Sequence, residues 1–172
     1  MHYPNMAAIP VYGLYGEGDS SFGQDWLHWE TIQSRSRLHG YRIAPHRHEQ
    51  FFQVLLLTAG ETTASLDGAV AELPAPAAVV VPALTVHGYT FSPDVDGVVL
   101  TLMEREVAAA GLTFSNAAIA RNARPVQAAM DAVVAEAQRP GAWHEQALRS
   151  HVALLLIALH RAVDEAGFAG TQ

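Results

Sequence analysis

The chain has no cysteine, no lysine and no apolar run of eighteen residues. Each absence excludes something. Without cysteine there is neither a disulfide framework nor a thiolate metal site, so the fold rests on its apolar core and any metal falls to imidazole or carboxylate. Without a long apolar run nothing reads as a membrane-spanning helix. The opening residues, Met1-His2-Tyr3-Pro4-Asn5, lack the basic-then-apolar order of a secretory signal. A cytoplasmic location is the resulting expectation. All ten basic residues are arginines, set against seventeen acidic residues for a net charge of −7. The arginines are scattered and form no stripe. A surface of this sign repels phosphate, so direct nucleic-acid binding by this chain is not expected.

What is present suits one compact domain with a helical addition. There are 172 residues, 50% hydrophobic and 16% charged. Residues 1–24 are rich in Gly, Pro, Tyr and Ser, and Ile9 to Tyr15 reads as an arm or short edge strand lying on the fold. Trp26, Leu27, Trp29 and Ile32 then lead into Gln33-Ser34-Arg35-Ser36-Arg37-Leu38, whose alternation of polar side chains predicts a strand with the tryptophans at its entry. Trp26 and Trp29 either belong to the core or line a pocket.

Strand-length apolar segments follow at Arg42 to Ala44, Phe51 to Leu57, Glu61 to Leu66, Ala69 to Leu73, Ala77 to Val81 and Gly97 to Met103. Pro45, Gly60, Asp67-Gly68, Pro74 with Pro76, Pro82 and Pro93 separate them. Asp67-Gly68 predicts a two-residue hairpin turn with positive φ at both positions. Short strands at this spacing indicate a sandwich or barrel rather than βαβ units. Phe51 to Leu57 does not alternate, so it is expected to be covered on both faces. From about Ala117 the pattern turns helical. Pro125 suits a first helical turn, and Val126, Met130, Val133, Val134 and Ala137 recur at helical spacing. After Pro140-Gly141 a second helix is predicted from about Ala142 to Ala166, with Leu148, Val152, Leu155, Leu159 and Ala162 on one stripe. Leu154, Ile157 and Ala158 make its other side apolar, which predicts a partner there and hence a homodimer.

The chemistry concentrates between Gly40 and Gly60. His46 and His48 share a parity with Arg42 and Ala44, so on an extended segment all four point one way. Gln53 has the opposite parity and joins them only through a bend or bulge near Glu49-Gln50. His87 follows the proline-bounded strand ending at Val81. Three imidazoles suit zinc, nickel or iron, or they supply donors to an anion. Arg42 would bind a carboxylate bidentately, and Phe51, Tyr89, Trp26 and Trp29 could flank an aromatic ring. Three hydrogen-bonded core histidines in a purely structural barrel are the third reading. His2, His28, His39, His144, His151 and His160 have no comparable company, and the last three are expected at an interface or surface.

Gly40, His46, His48, Gln53 and Gly60 resemble the first cupin motif at its usual spacing, with Gln53 in place of glutamate. Pro82 to Phe91 resembles the second, keeping Pro82 and His87 but with Leu84 for glycine and Phe91 for asparagine. Ile9 to Glu17, Pro45 to Glu49, Val81 to Gly88 and Phe91 to Asp94 are similar to the N-terminal half of AraC-type transcription regulators, closest to a hydroxybenzoate-responsive, PobR-like group. The resemblance covers nearly the whole chain. It implies a mainly β, jelly-roll cupin barrel over residues 25–112 and a helical dimerisation hairpin over 117–168. It also implies a small aromatic carboxylate effector, DNA contact made by a basic region not found within these residues, and no catalysis. The alternative it leaves open is a metal-dependent cupin dioxygenase or isomerase using His46, His48 and His87. Against that alternative stands Gln53, a weaker metal ligand than glutamate.

Overall fold

The computed structural model describes residues 26–169. The arm expected over residues 1–24 lies outside them. The elements run β1 (Leu27–Thr31), α1 (Ile32–Leu38), β2 (Arg42–His46), β3 (Phe51–Ala59), β4 (Glu61–Leu66), β5 (Ala69–Pro74), β6 (Ala77–Val81), β7 (His87–Phe91), β8 (Asp96–Met103), α2 (Glu104–Ala109), β9 (Ala118–Ala120), α3 (Arg124–Gln138) and α4 (His144–Ala169). The fold is mainly β, in two antiparallel sheets ordered β1-β8-β3-β6-β9 and β2-β7-β4-β5, with two C-terminal helices.

The β4–β5 hairpin forms as its turn chemistry dictates. Asp67 and Gly68 have φ of 48° and 86°, the positive pair a type I′ turn requires. β3 is the strand on which both cores meet. Its Leu55 and Leu57 face the barrel interior with Leu66, Leu73, Val79 and Val99. Its Phe52, Val54 and Leu56 face the opposite way, into a second core closed by Val126, Met130 and Val133 of α3 and Leu148, Val152, Leu155 and Leu159 of α4. That double burial is why the strand shows no polar alternation. On α4 His160 stacks on Phe114, 3.8 Å between centroids, with Nε2 2.9 Å from the Leu112 carbonyl. His160 is thus fixed within the chain's own fold rather than left at a surface. Among the described residues no helix is long and apolar enough to cross a membrane.

Four expectations are corrected. Gln33 to Leu38 is not a strand but most of helix α1. Thr31 caps it, its hydroxyl accepting from the Ser34 amide at 3.1 Å, and Ile32 and Ser36 are buried one turn apart. The tryptophans instead sit at and within β1, which pairs with β8. His87 to Phe91, with no strand expected there, is an inner strand of the second sheet, between β2 and β4. The helical region does not begin at Ala117: Ala118–Ala120 adds a strand beside β6, and α3 starts at Arg124 with Pro125 in its first turn.

Candidate functional site

A bulge builds the site. β2 pairs with β7 through Arg42↔Thr90 and Ile43↔Tyr89, and then through His46↔His87. Three residues of β2 therefore span two of β7, and the extra residue turns His46 inward although Arg42, of the same parity, points out. Pro45 sits in the irregular stretch, where its missing N–H costs no ladder bond. His46, His48 and His87 are all buried. Their rings lie 4.3 Å (His46–His87), 4.9 Å (His46–His48) and 5.4 Å (His48–His87) apart between centroids. One nitrogen from each falls within 4.8 Å of the others.

Backbone carbonyls orient two of the rings. His46 Nδ1 lies 2.8 Å from the Ala44 carbonyl and His87 Nδ1 2.9 Å from that of Thr85. A carbonyl only accepts, so both Nδ1 atoms carry protons and a neutral ring has its lone pair on Nε2. His87 Nε2 meets the Gln53 side chain, with Oε1 at 3.2 Å, while the other end of that amide is 3.1 Å from the Thr101 hydroxyl. Gln53 and Thr101 are register partners on β3 and β8, which is how a residue of the wrong parity reaches the histidines: it comes from the facing sheet. Burial drives His87 well below the usual histidine value, and the neighbouring His46 adds to this. Burial likewise pulls His46 down to about 4, against the opposing pull of its bond to Ala44. A neutral His87 needs a donor at Nε2. Turning the Gln53 amide end for end supplies one, its N–H going to His87 and its carbonyl accepting from Thr101.

The apolar side of the site is aromatic. Tyr89 stacks on Phe91 at 5.5 Å and 22° and lies 6.1 Å from the His87 ring, while Phe51 is 5.8 Å from His48. Burial pushes the Tyr89 phenol up. Beside Tyr89 is a cavity of about 10 Å³, lined at its polar end by Arg35, His46, Gln53 and His87 and on its apolar side by Ile43, Leu55, Tyr89 and Val99. That is room for about one water.

His46, His48, His87, Gln53, Tyr89 and Phe51 are brought together. Three candidates are not. Arg42 is exposed opposite Thr90, on the outer side of the bulge. Trp26 and Trp29 pack in the second core, outside the barrel. There Trp26 Nε1 donates to Glu145 Oε1 at 3.0 Å, beneath the Arg149 guanidinium at 4.6 Å. Sequence reasoning missed Arg35 and Thr101. Arg35 had a signal: on a helix, Ile32, Arg35 and Ser36 share one face.

Two facing antiparallel sheets around a polar pocket make a barrel of the cupin type. Residues 29–169 match the model of the AraC-like ligand binding domain, and the chain belongs to that family. No curated protein matches the sequence. Among solved structures the chain is similar to ToxT from Vibrio cholerae, with a TM-score of 0.53 at 8% identity over 83% of this chain and 57% of ToxT. Wild-type ToxT of strain SCE256 with an unsaturated fatty acid bound gives 0.52 at 6% identity, over 83% of this chain and 56% of that one. ToxT of strain O395 bound to (E)-4-(8-methylnaphthalen-1-yl)but-3-enoic acid gives 0.50 at 9%, over 75% and 54%. The chain thus spans a little over half the length of ToxT, and at these identities the likeness is one of fold.

Proposed function

We propose that this chain is the ligand-sensing domain of an AraC-type transcription regulator. Its barrel takes a small aromatic carboxylic acid of the hydroxybenzoate class, and α3 and α4 form a homodimer. The observation that carries this reading is the chemistry of the cavity: a guanidinium, two imidazoles and an amide line it, and no carboxylate lines it among the described residues. A wall without negative charge admits an anion, and Tyr89 presents a ring to it, with Phe51 beside His48. The two ToxT complexes support the class, since both named ligands are apolar chains or rings ending in a carboxylic acid.

The cavity of about 10 Å³ is far below the roughly 300 Å³ at which small-molecule sites begin, so a ring enters only if the walls part. Binding is thereby tied to movement. A ligand shifts such a domain by as much as its affinities for the closed and opened states differ. α1 and β2, which form the wall at Arg35, Ile43 and His46, are the elements to move.

A second reading is favoured by the clustering of the three imidazole nitrogens. His46, His48 and His87 would hold a divalent ion such as zinc, nickel or iron, which would supply Lewis acidity to a bound ligand or, in an enzyme of the dioxygenase or isomerase kind, to a substrate. The donor set fits in part. His87 Nε2 is already engaged by Gln53, so an ion competes with that amide for the lone pair. One experiment separates the readings: calorimetric titration of 4-hydroxybenzoate, 3-hydroxybenzoate and protocatechuate into protein purified without a His-tag, as isolated and after chelation, with metal content measured on both. Binding that survives chelation supports the sensor. Loss of binding by all three in both preparations sinks the hydroxybenzoate reading, and turnover of protocatechuate with a stoichiometric redox metal replaces it by the enzyme.

A further inference from the structure

Arg35 lies on α1, the helix that leads from β1 at the edge of one sheet to β2 at the edge of the other. Its neighbours on the helix face, Ile32 and Ser36, are buried, and Ile32 packs into the barrel core. The Arg35 side chain is 10% exposed and lines the same cavity as His46, Gln53, His87 and Tyr89. Among the described residues it is the one permanently charged group on that wall. We infer that Arg35 is the anion anchor of the barrel, holding the acidic group of a small carboxylate while the imidazoles and aromatic rings contact its body. The inference rests on the barrel being a ligand pocket and adds what the pocket selects.

The contacts of Arg35 fit this role. Its Nη1 pairs with Glu30 Oε1 at 3.3 Å, near the end of β1 just before the helix. That is longer than the 2.7–2.9 Å of a tight charge-assisted bond. A guanidinium has five donors in a rigid fork, so one plane can serve both the Glu30 oxygen and the two oxygens of a ligand carboxylate. The Arg35 charge reaches the site, opposing protonation of His46 and His87 and favouring ionisation of the Tyr89 phenol. A ligand carboxylate placed there would meet a fixed positive charge in a water-poor cavity, where such a contact is strongest. A lysine at 35 would keep the charge but lose the fork.

The test uses three probes titrated calorimetrically into wild type, Arg35→Gln, Arg35→Lys and Arg42→Gln: 4-hydroxybenzoate, octanoate, and the uncharged 4-hydroxybenzamide. The expected result is a ten- to hundredfold drop in carboxylate affinity for Arg35→Gln, roughly what one charged hydrogen-bonded contact is worth. Arg35→Lys should recover part of it, and Arg42→Gln should bind as wild type. Affinity for the amide should stay within about threefold across all four, which a merely structural role of Arg35 would not allow. Carboxylate binding by Arg35→Gln at the wild-type level overturns the inference, as does an equal loss for acid and amide. If Arg35→Gln does not fold, the acid-against-amide contrast in Arg35→Lys decides the same point. Binding of octanoate through Arg35 with no binding of 4-hydroxybenzoate leaves the anchor standing and removes the hydroxybenzoate reading. Binding of the amide alone removes both the anchor and the hydroxybenzoate reading. If none of the three binds wild type, both fall.

Discussion

Packing His46 against His87 at 4.3 Å works while both rings are neutral. Burial holds His46 at about 4, below the 6.5 it has in an unfolded chain. Above pH 6.5 neither state binds this proton and the ring adds nothing to the pH dependence. Below it the unfolded chain takes up a proton that the folded one refuses, so stability is lost as the pH falls toward 4. By pH 5 this one ring accounts for about 2 kcal/mol. His87, lowered in the same direction by the same cause, adds to the loss. Urea denaturation of chelated protein should therefore show a midpoint that drops between pH 7 and pH 5, and His46→Asn should flatten the dependence. An unchanged wild-type midpoint over that range would mean that the rings accept protons in place, and the neutral Gln53–His87 arrangement would be wrong. Gln53 is the residue whose meaning was easiest to read from sequence, as the amide standing where the motif has an acid. Thr101, which fixes that amide, had no signal of its own: a threonine in an apolar strand is ordinary until its register partner is known.

At the scale of elements, β2 decides the site. Its parity argument places Arg42 and His46 on one face, and the bulge between Ile43 and His46 separates them. Pro45 marked the irregularity, but a proline is as compatible with an extended strand as with a bulge, so the sequence did not say which. α1 was hidden for a similar reason. Gln-Ser-Arg-Ser-Arg imitates a two-residue period, and only the Thr31–Ser34 cap and the burial of Ile32 and Ser36 show the helical one. By contrast β3, the Asp67-Gly68 hairpin and both C-terminal helices were legible because a continuous apolar run, a turn dipeptide and a long 3.6-residue stripe each have few alternatives. The bulge also depends on β7. A Cβ at Gly88 would lie 2.8 Å from the Ile43 carbonyl and 2.9 Å from the Pro45 nitrogen, both backbone atoms that no rotamer can move aside. Gly88→Ala is expected to push β2 from β7 at the point where His46 meets His87. The cost should be about 1–3 kcal/mol of overpacking, seen as a lower urea midpoint, together with shifted imidazole resonances of His46 and His87. A variant with wild-type midpoint and histidine spectrum would show that β2 is not held by this close approach.

At the scale of the molecule, the two cores divide the work: one encloses the cavity, the other fixes α3 and α4 on the back of the same sheet. β3 and β8 belong to both, so a ligand that parts the cavity wall presses on strands whose other face carries the helices. α4 buries Leu148, Val152, Leu155, Leu156 and Leu159 against the rest of the chain, yet Leu154 stands 59% exposed on its other side, with Ala147, His151, Ile157 and Ala158 half-buried around it. Covering that face with a second copy by helix–helix packing would bury Leu154 and set the two barrels in a fixed relation. Leu154→Glu puts a charge at the centre of the face without touching either core. Light scattering after gel filtration should find wild type as a dimer and this variant shifted to monomer, with the melting temperature of the variant now independent of protein concentration while that of wild type rises with it. A variant that remains dimeric would move the interface off this face of α4, and a wild type that is monomeric at the same concentration would remove the dimer from the reading.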